Sequence, residues 1–381
     1  MTVREITEAD YPAVQALHRG VGWPQRSLAG WRWLGDNPAR HEIGAPAGWV
    51  VDGPDGQPVA HLGNMIHRFH LDGRPLYGAT GFSIIVTPEA KGTSRALIKT
   101  FLGQTGIFAA YTLNANSRSQ PLYAHHGMVP WPQATHALKL SWRVAPLTLL
   151  AGRALRGLLN VAPGLAPSMG EWFLNDRLGR TPRLRLPNGV SILTSLREGS
   201  PYDRFRKALE REGRLMGDRS PETLRRRLAD PDLTTAPLIL AHRRGDVITG
   251  YALAMMAKAS IIEAPVLEII DLEALAWDDE AIPALMSGLI AAARPMGAAK
   301  VRLQATTPRL QTRLGAHAST AVTEGGWGHC HAQFMMDVPY DLWSPTPYDG
   351  DYAACLRPLP LVAGKVSRAR VGTGRSEASK V

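Results

Sequence analysis

Two stretches of the chain hold residues whose types and spacing could do chemistry. The first is a strand end, Val86-Thr87-Pro88-Glu89, then a small-residue turn, Lys91-Gly92-Thr93-Ser94-Arg95, where a helix begins. A helix start of this kind offers free backbone N–H groups and a positive dipole end, which suits an anion such as a pyrophosphate. Lys91 and Arg95 add charge there. The second stretch has the spacing Asn-x-x-Ser-x-x-Leu-Tyr-x-x-x-Gly-Met, formed by Asn116, Ser119, Leu122, Tyr123, Gly127 and Met128. Four histidines lie on or beside the same elements. His61 and His67 are an even number of residues apart on one strand and so share a face. His125 and His126 follow Tyr123. Imidazole accepts a proton near neutral pH, so each is a candidate base. A cysteine-built metal site is excluded, because Cys330 and Cys355 do not form a C-x-x-C pair.

The strand, turn and following segment resemble the GCN5-related N-acetyltransferase (GNAT) superfamily over about residues 1–142. The resemblance implies the following roles. Lys91, Gly92, Thr93, Ser94 and Arg95 match the turn that holds the coenzyme A pyrophosphate. Ile85 and Val86 match the strand end whose backbone holds the pantetheine arm and the thioester carbonyl. Asn116 and Ser119 match cofactor-side positions. Tyr123 matches the general acid that protonates the departing thiolate. The turn departs from the family pattern: it is about two residues short and has one glycine where the family spaces Gly-x-Gly. The strand Thr80 to Val86 also lacks the carboxylate that often serves as base. His61 and His67 are therefore the expected catalytic partners of Tyr123.

These residues need strands and helices to hold them. Val3 to Ile6 alternates as a strand, and Val14, Leu17 and Val21 recur at helical spacing. A second helix carries Leu28, Trp31 and Trp33. Gly48 to Val51 and Val59 to Phe69 form a hairpin around Pro54-Asp55-Gly56. Thr80 to Val86 is a third strand, Lys91 to Leu102 a helix, Ile107 to Leu113 a strand, and Gln120 to His126 a short helix closed by Gly127. Leu138 to Trp142 is a further strand. Residues 145–185 read as a helical connector, and the order then starts again. Val190 to Leu193, a helix from Tyr202 to Leu215, and a short helix capped by Ser220-Pro221 come first. A hairpin follows around Arg244-Gly245-Asp246, then a strand to Leu275, a helix Ala281 to Ala293, a strand from Lys300 and a short helix closed by Gly315.

This is a long-period duplication. An offset of 188 residues sets Gly315 against Gly127 and Ala274 against Val86. The second copy keeps the layout and loses the chemistry. Its turn is Trp277-Asp278-Asp279-Glu280, and Gln311 stands where Tyr123 would recur. It resembles a degenerate acetyltransferase domain. Asp271 and Glu273 share a strand face, with Glu268 on the other. They are candidates either for a cationic acceptor or for pairing with arginines, the second being favoured. Trp327 and His329 are further acceptor-side candidates.

The whole is expected to be an α/β (α+β) chain of two tandem GNAT-like domains, each a mixed sheet flanked by helices. Residues 1–145 form the catalytic domain, 146–185 the connector, 186–345 the degenerate domain and 346–381 an extension with a basic, disordered tail. The chain has 381 residues, 43 Lys plus Arg, 33 Asp plus Glu and a net charge of +10, and only eight of the cations are lysine. Arginine favours bidentate contact with phosphate, so an anionic partner fits. No recognised nucleic-acid motif accompanies Arg225-Arg226-Arg227, so nucleic acid is not expected. The expected reaction is N-acyl transfer, most simply of acetyl from acetyl-CoA, to a small-molecule amine, without a metal. The alternative is a non-catalytic acyl-CoA binder or scaffold. Leu147, Leu149, Leu150, Leu155, Leu158 and Leu159 with Arg153 and Arg156 form a basic amphipathic stretch. Membrane-surface contact is open there, with a core connector preferred. No signal peptide or membrane span is read, so the cytoplasm is the expected location. A pseudo-dimeric monomer and a homodimer both remain open.

Overall fold

The computed structural model describes residues 2–162, 164–174, 182–233, 235–258, 262–325 and 328–352. The basic tail, Trp327 and Cys355 lie outside them. The first half runs β1 (Val3–Glu5), α1 (Tyr11–Gly20), α2 (Leu28–Gly35), α3 (Pro38–Glu42), β2 (Gly48–Asp52), β3 (Pro58–Leu71) and β4 (Arg74–Val86). It continues with α4 (Ser94–Leu102), β5 (Ala109–Ala115), α5 (Gln120–His125), β6 (Val129–Pro130) and β7 (Lys139–Arg143). A helical hairpin, α6 (Pro146–Val161) and α7 (Ala166–Leu174), joins it to the second half. There β8 (Val190–Ile192), α8 (Pro201–Glu210), β9 (Met216–Gly217), α9 (Pro221–Leu228), β10 (Leu238–Arg244) and β11 (Val247–Ala257) lead to β12 (Val266–Ala274). The last elements are α10 (Ala281–Ala293), β13 (Lys300–Leu303), α11 (Pro308–Arg313), α12 (Ala316–Thr320), β14 (Val322–Glu324) and β15 (His329–Phe334).

Local chemistry sets these boundaries. Ser27, Ser200, Ser220 and Thr307 each cap a helix by accepting a backbone N–H with the side-chain oxygen. Asp72 and Gly73 both take positive φ, 49° and 75°, which is the turn that matches the twist of the long β3–β4 hairpin. Its second strand, β4, starts at Arg74, six residues before the expected strand. Helix α4 begins at Ser94, because Pro88–Ala90 form a 3₁₀ turn and Gly92 takes φ 97°. Helix α8 ends at Glu210, short of Leu215, where the chain turns through Gly213 at φ 67°. No helix among the described residues is long and apolar enough to cross a membrane.

Two mixed sheets flanked by helices result, as the α/β reading expected. One has the order β1-β2-β3-β4-β5-β15-β6, with β9 paired to β3; the other is β14-β7-β13-β12-β11-β10-β8. The two halves exchange strands. β7 of the first half pairs with β13 and β14, and β15 of the second half pairs with β5 and β6. Each sheet has one internal parallel pair, β4 with β5 and β12 with β13. Strand ends repeat at the offset read from the sequence, Val86 and Ala274. Each sheet packs its own apolar core. Leu97, Ile98 and Phe101 of α4 lie under the first, and Leu285, Met286 and Leu289 of α10 under the second.

The segment after β15 threads back between the halves. Trp343 packs edge-on to Phe69, Phe108 and Tyr111, with centroids 5.5, 5.9 and 4.9 Å away. The Tyr111 hydroxyl donates to the Asp349 carbonyl. This seam carries Asp351 and Tyr352 to the site described next.

Candidate active site

Strands β4 and β5 pair only from Gly78–Ala109 to Thr80–Tyr111, yet β4 runs on to Val86 and β5 to Ala115. Beyond Thr80 they splay apart. On its other edge β4 carries a bulge: His61 faces Ile85, then Gly63 faces Phe82, leaving Ser83 and Ile84 opposite Leu62. A bulge re-aims the backbone of its extra residue. Ser83 takes φ 51°, left-handed backbone that a serine adopts at a cost.

The splay opens into a cleft of about 620 Å³ between the halves. Phe82, Ser83 and Ile84 form one wall with Asn116, Ser119 and Tyr123. Glu268, Lys300 and Arg302 of the second sheet face them, α6 closes one side, and Asp351 and Tyr352 complete the lining.

Tyr123 sits on α5, 2% exposed, and lines this cleft. Burial and the nearby Asp351 push its phenol well above the ordinary value, so it stays protonated and can donate. Asn116 and Ser119 line the cleft too, but their polar atoms build the helix start. Asn116 Oδ1 accepts from the N–H of Arg118 and Ser119, at 3.0 and 2.9 Å, and Ser119 Oγ accepts from the N–H of Asn116. Gly127, at φ 89°, closes α5 as its position suggests.

Of the expected strand-end pair, Ile85 is buried and Val86 half-buried, and the cleft is lined instead by the bulge residues Ser83 and Ile84. The Lys91–Arg95 turn is not part of the cleft lining and lies just past the same end of β4. Lys91, Gly92 and Arg95 are exposed, and Thr93 and Ser94 are half-buried. The N–H groups of Ser94, Arg95 and Ala96 have no acceptor among the described residues. A Cβ built on Gly92 would meet open space. Free donors, two cations and room fit a pyrophosphate.

The two histidines lie elsewhere. His61 is buried among His18, Trp31 and Phe82, its Nδ1 3.1 Å from the Ser83 carbonyl. Burial lowers it to about 3. His67 is buried against Tyr111, with Arg227 donating to its Nδ1 at 2.9 Å, and burial beside cationic Arg227 and Arg219 holds it well below the usual range. Neither lines the Tyr123 cleft.

A carboxylate not singled out from the sequence does. Asp351 is 4% exposed, and its Oδ1 has no hydrogen-bond partner among the described residues. Burial raises it to about 7. The only sequence signal was its Asp-Gly-Asp-Tyr setting after a Pro- and Tyr-containing run with no periodicity. The other carboxylates are paired. Glu268 faces the cleft but is held by Arg302. Asp271 takes Arg219 in a fork, at 2.8 and 3.0 Å, and Glu273 takes Arg214 at 2.7 Å. Pairing with arginine is thus the observed state of all three. His329 begins β15 beside Gly328, which lines the cleft. Among the described residues no group of three or more His, Cys, Asp or Glu could hold a metal.

The second half closes its own counterpart of the site. Asp278 is buried and accepts from Arg244 at 2.8 Å, with His242 3.3 Å away. The Arg313 guanidinium donates to the carbonyls of Ala274, Leu275 and Asp278, at 2.8, 2.8 and 3.0 Å. It occupies the end of β12 that matches the end of β4.

No protein-family model matches the sequence, and no curated protein matches it significantly. Solved structures do match. The chain is similar to the N-myristoyltransferase of Saccharomyces cerevisiae with bound myristoyl-CoA, at 10% identity and TM-score 0.52, over 87% of this chain and 82% of that one. It is similar to a GCN5-related N-acetyltransferase from Anabaena variabilis, at 14% identity and TM-score 0.49, over 87% and 72%. A GCN5-related N-acetyltransferase from Kribbella flavida matches at 13% identity and TM-score 0.48, over 88% and 71%. The fold is the GNAT fold in a two-sheet, tandem-like form.

Proposed function

We propose that this tandem GNAT-fold protein is an acyl-CoA-dependent N-acyltransferase whose acceptor is an amine bound in the 620 Å³ cleft. One observation carries the reading. A buried phenol, Tyr123, and a buried carboxylate, Asp351, with an oxygen unpartnered among the described residues, meet in one cleft at a splayed, bulged strand end. The acyl-CoA lies with its pyrophosphate on the Lys91–Arg95 turn and its pantetheine arm along the splay.

Each step has a group to serve it. Asp351 removes a proton from the ammonium, leaving the lone pair to attack the thioester carbonyl. The backbone at Ser83 and Ile84 donates to the oxyanion that forms. The C–S bond then breaks, and Tyr123 gives its proton to the sulfur. The attacking nitrogen gives its second proton, through water, to the Tyr123 phenolate, which restores the phenol, and Asp351 releases the first proton to solvent. The second half supplies a wall and the seam that positions Asp351.

Free-thiol release across an amine library tests this, with acetyl-CoA and myristoyl-CoA as donors. The longer donor is included because the yeast neighbour binds it. Tyr123→Phe should lower kcat by about 10²-fold or more, the usual range for a lost acid, with coenzyme A affinity unchanged. An unchanged kcat at saturation would remove Tyr123 from the acid role. The single glycine of the turn favours a second reading, an acyl-CoA sensor. Calorimetric binding without thiol release on any amine is its expected result.

A further inference from the structure

Helix α6 is packed on one side and bare on the other. Leu155 is buried with Ala166, Leu174 and Ile262, and Leu158 and Leu159 pack partly against them. A neighbouring face exposes Leu147 by 79%, Leu150 by 56% and Val161 by 84%. Ala154 and Gly157, also exposed, complete the spacing i, i+3, i+7, i+10, i+14. That is one continuous stripe over about four turns with no polar side chain in it. Leu165 (62%), Met169 (39%) and Phe173 (53%) extend the apolar exposure into α7. The helices pack on each other. Of the 16 large exposed hydrophobics among the described residues, six come from this one hairpin, so the exposure is concentrated rather than scattered.

Charge selects the occupant. Helix α6 contains Arg153 and Arg156 and no acidic residue; Arg156 pairs with Glu263 at 3.2 Å, whereas Arg153, and Arg143 just before the helix, are exposed. A second copy docking by two-fold symmetry would bring this arginine-flanked stripe against itself. An anionic lipid surface pairs Arg143 and Arg153 with phosphates and takes the leucines into the headgroup boundary. The net charge of +10 adds attraction at a distance. Arg143, Arg153 and Arg156 all line the cleft, so a bilayer under the hairpin lies beside the cleft mouth.

We propose that the α6–α7 hairpin seats the protein on an anionic lipid surface. The docking does not depend on the acyl-transfer reading. The test is co-sedimentation of the full chain with phosphatidylcholine vesicles, with and without phosphatidylglycerol. Leu147→Glu/Leu150→Glu and Val161→Glu serve as variants, with circular dichroism and melting curves to verify folding. Exposed side chains are changed, so the fold should be kept. The wild type should bind the anionic vesicles at least about tenfold better than neutral ones, and raised salt should weaken it. Each variant should lose about tenfold or more. Equal binding by folded variants would overturn the proposal. So would light scattering that finds a wild-type dimer turned monomeric by the same substitutions, which would make the face an interface between copies.

Discussion

A carboxylate buried without an ion pair keeps its proton to higher pH, and among the described residues Asp351 is in that position. Folding raises it from the ordinary carboxylate value to about 7. Between those values the folded chain holds a proton that the unfolded chain has released. Stability from this group therefore falls as pH rises through that window and levels off above it. Asp351→Asn removes the penalty. Its melting temperature should gain on the wild type as pH goes from 5 to 8, and a gain that shrinks with pH would contradict the assignment. Turnover should show the other side of the same group. The wild-type kcat/KM should rise with pH and flatten above about 7, and the Asn variant should lose both rate and limb. His61 and His67 are neutral across this range and buried, so a protonation step near neutral pH points to Asp351 instead. Tyr123 was readable because its neighbours recur at a fixed spacing. Asp351 was not, since proximity across 228 residues leaves no local pattern.

At the scale of elements, the strand–turn–helix units were readable because each has its own periodicity and its own cap. β4 with α4 and β12 with α10 repeat at the 188-residue offset, and their divergence in chemistry follows from single side chains. The acidic turn of the second half holds Asp278 against Arg244 and His242, and Arg313 fills the strand end. Arg313→Ala would leave three partly or fully buried carbonyl contacts unmade. We expect a loss of about 2–4 kcal/mol in urea unfolding, in line with an unsatisfied charge-assisted network, with kcat unchanged. A loss of kcat at constant stability would show that the second half does more than wall the cleft. Which sheet each strand joins was not readable. β7 alternates in sequence yet is buried on both faces, β15 was not read as a strand, and neither carries a mark of its partner strand.

The exchange of β7 and β15 decides how the whole molecule holds together. Each sheet has an interior strand supplied by the other half, so neither half has a complete sheet of its own. The seam after β15 adds Trp343 to a separate apolar cluster with Phe69, Phe108 and Tyr111, and Tyr348 to another with Tyr202, Phe205 and Tyr251. Arg219 ties it further, holding Asp271 of β12 while its guanidinium lies 3.3 Å from Asp349 and 4.7 Å from the Tyr348 ring. These links make the halves one cooperative unit, although the duplication suggests two. Urea unfolding followed by tryptophan fluorescence and by far-ultraviolet circular dichroism should give coincident midpoints and one transition. Residues 1–145 produced alone lack β15, leaving the β5 edge open and Tyr111 without the Asp349 carbonyl. That fragment should aggregate, and co-production with the remainder should rescue it. Two separated transitions, or a stable and monomeric fragment, would mean that the exchanged strands are decoration on two self-sufficient domains.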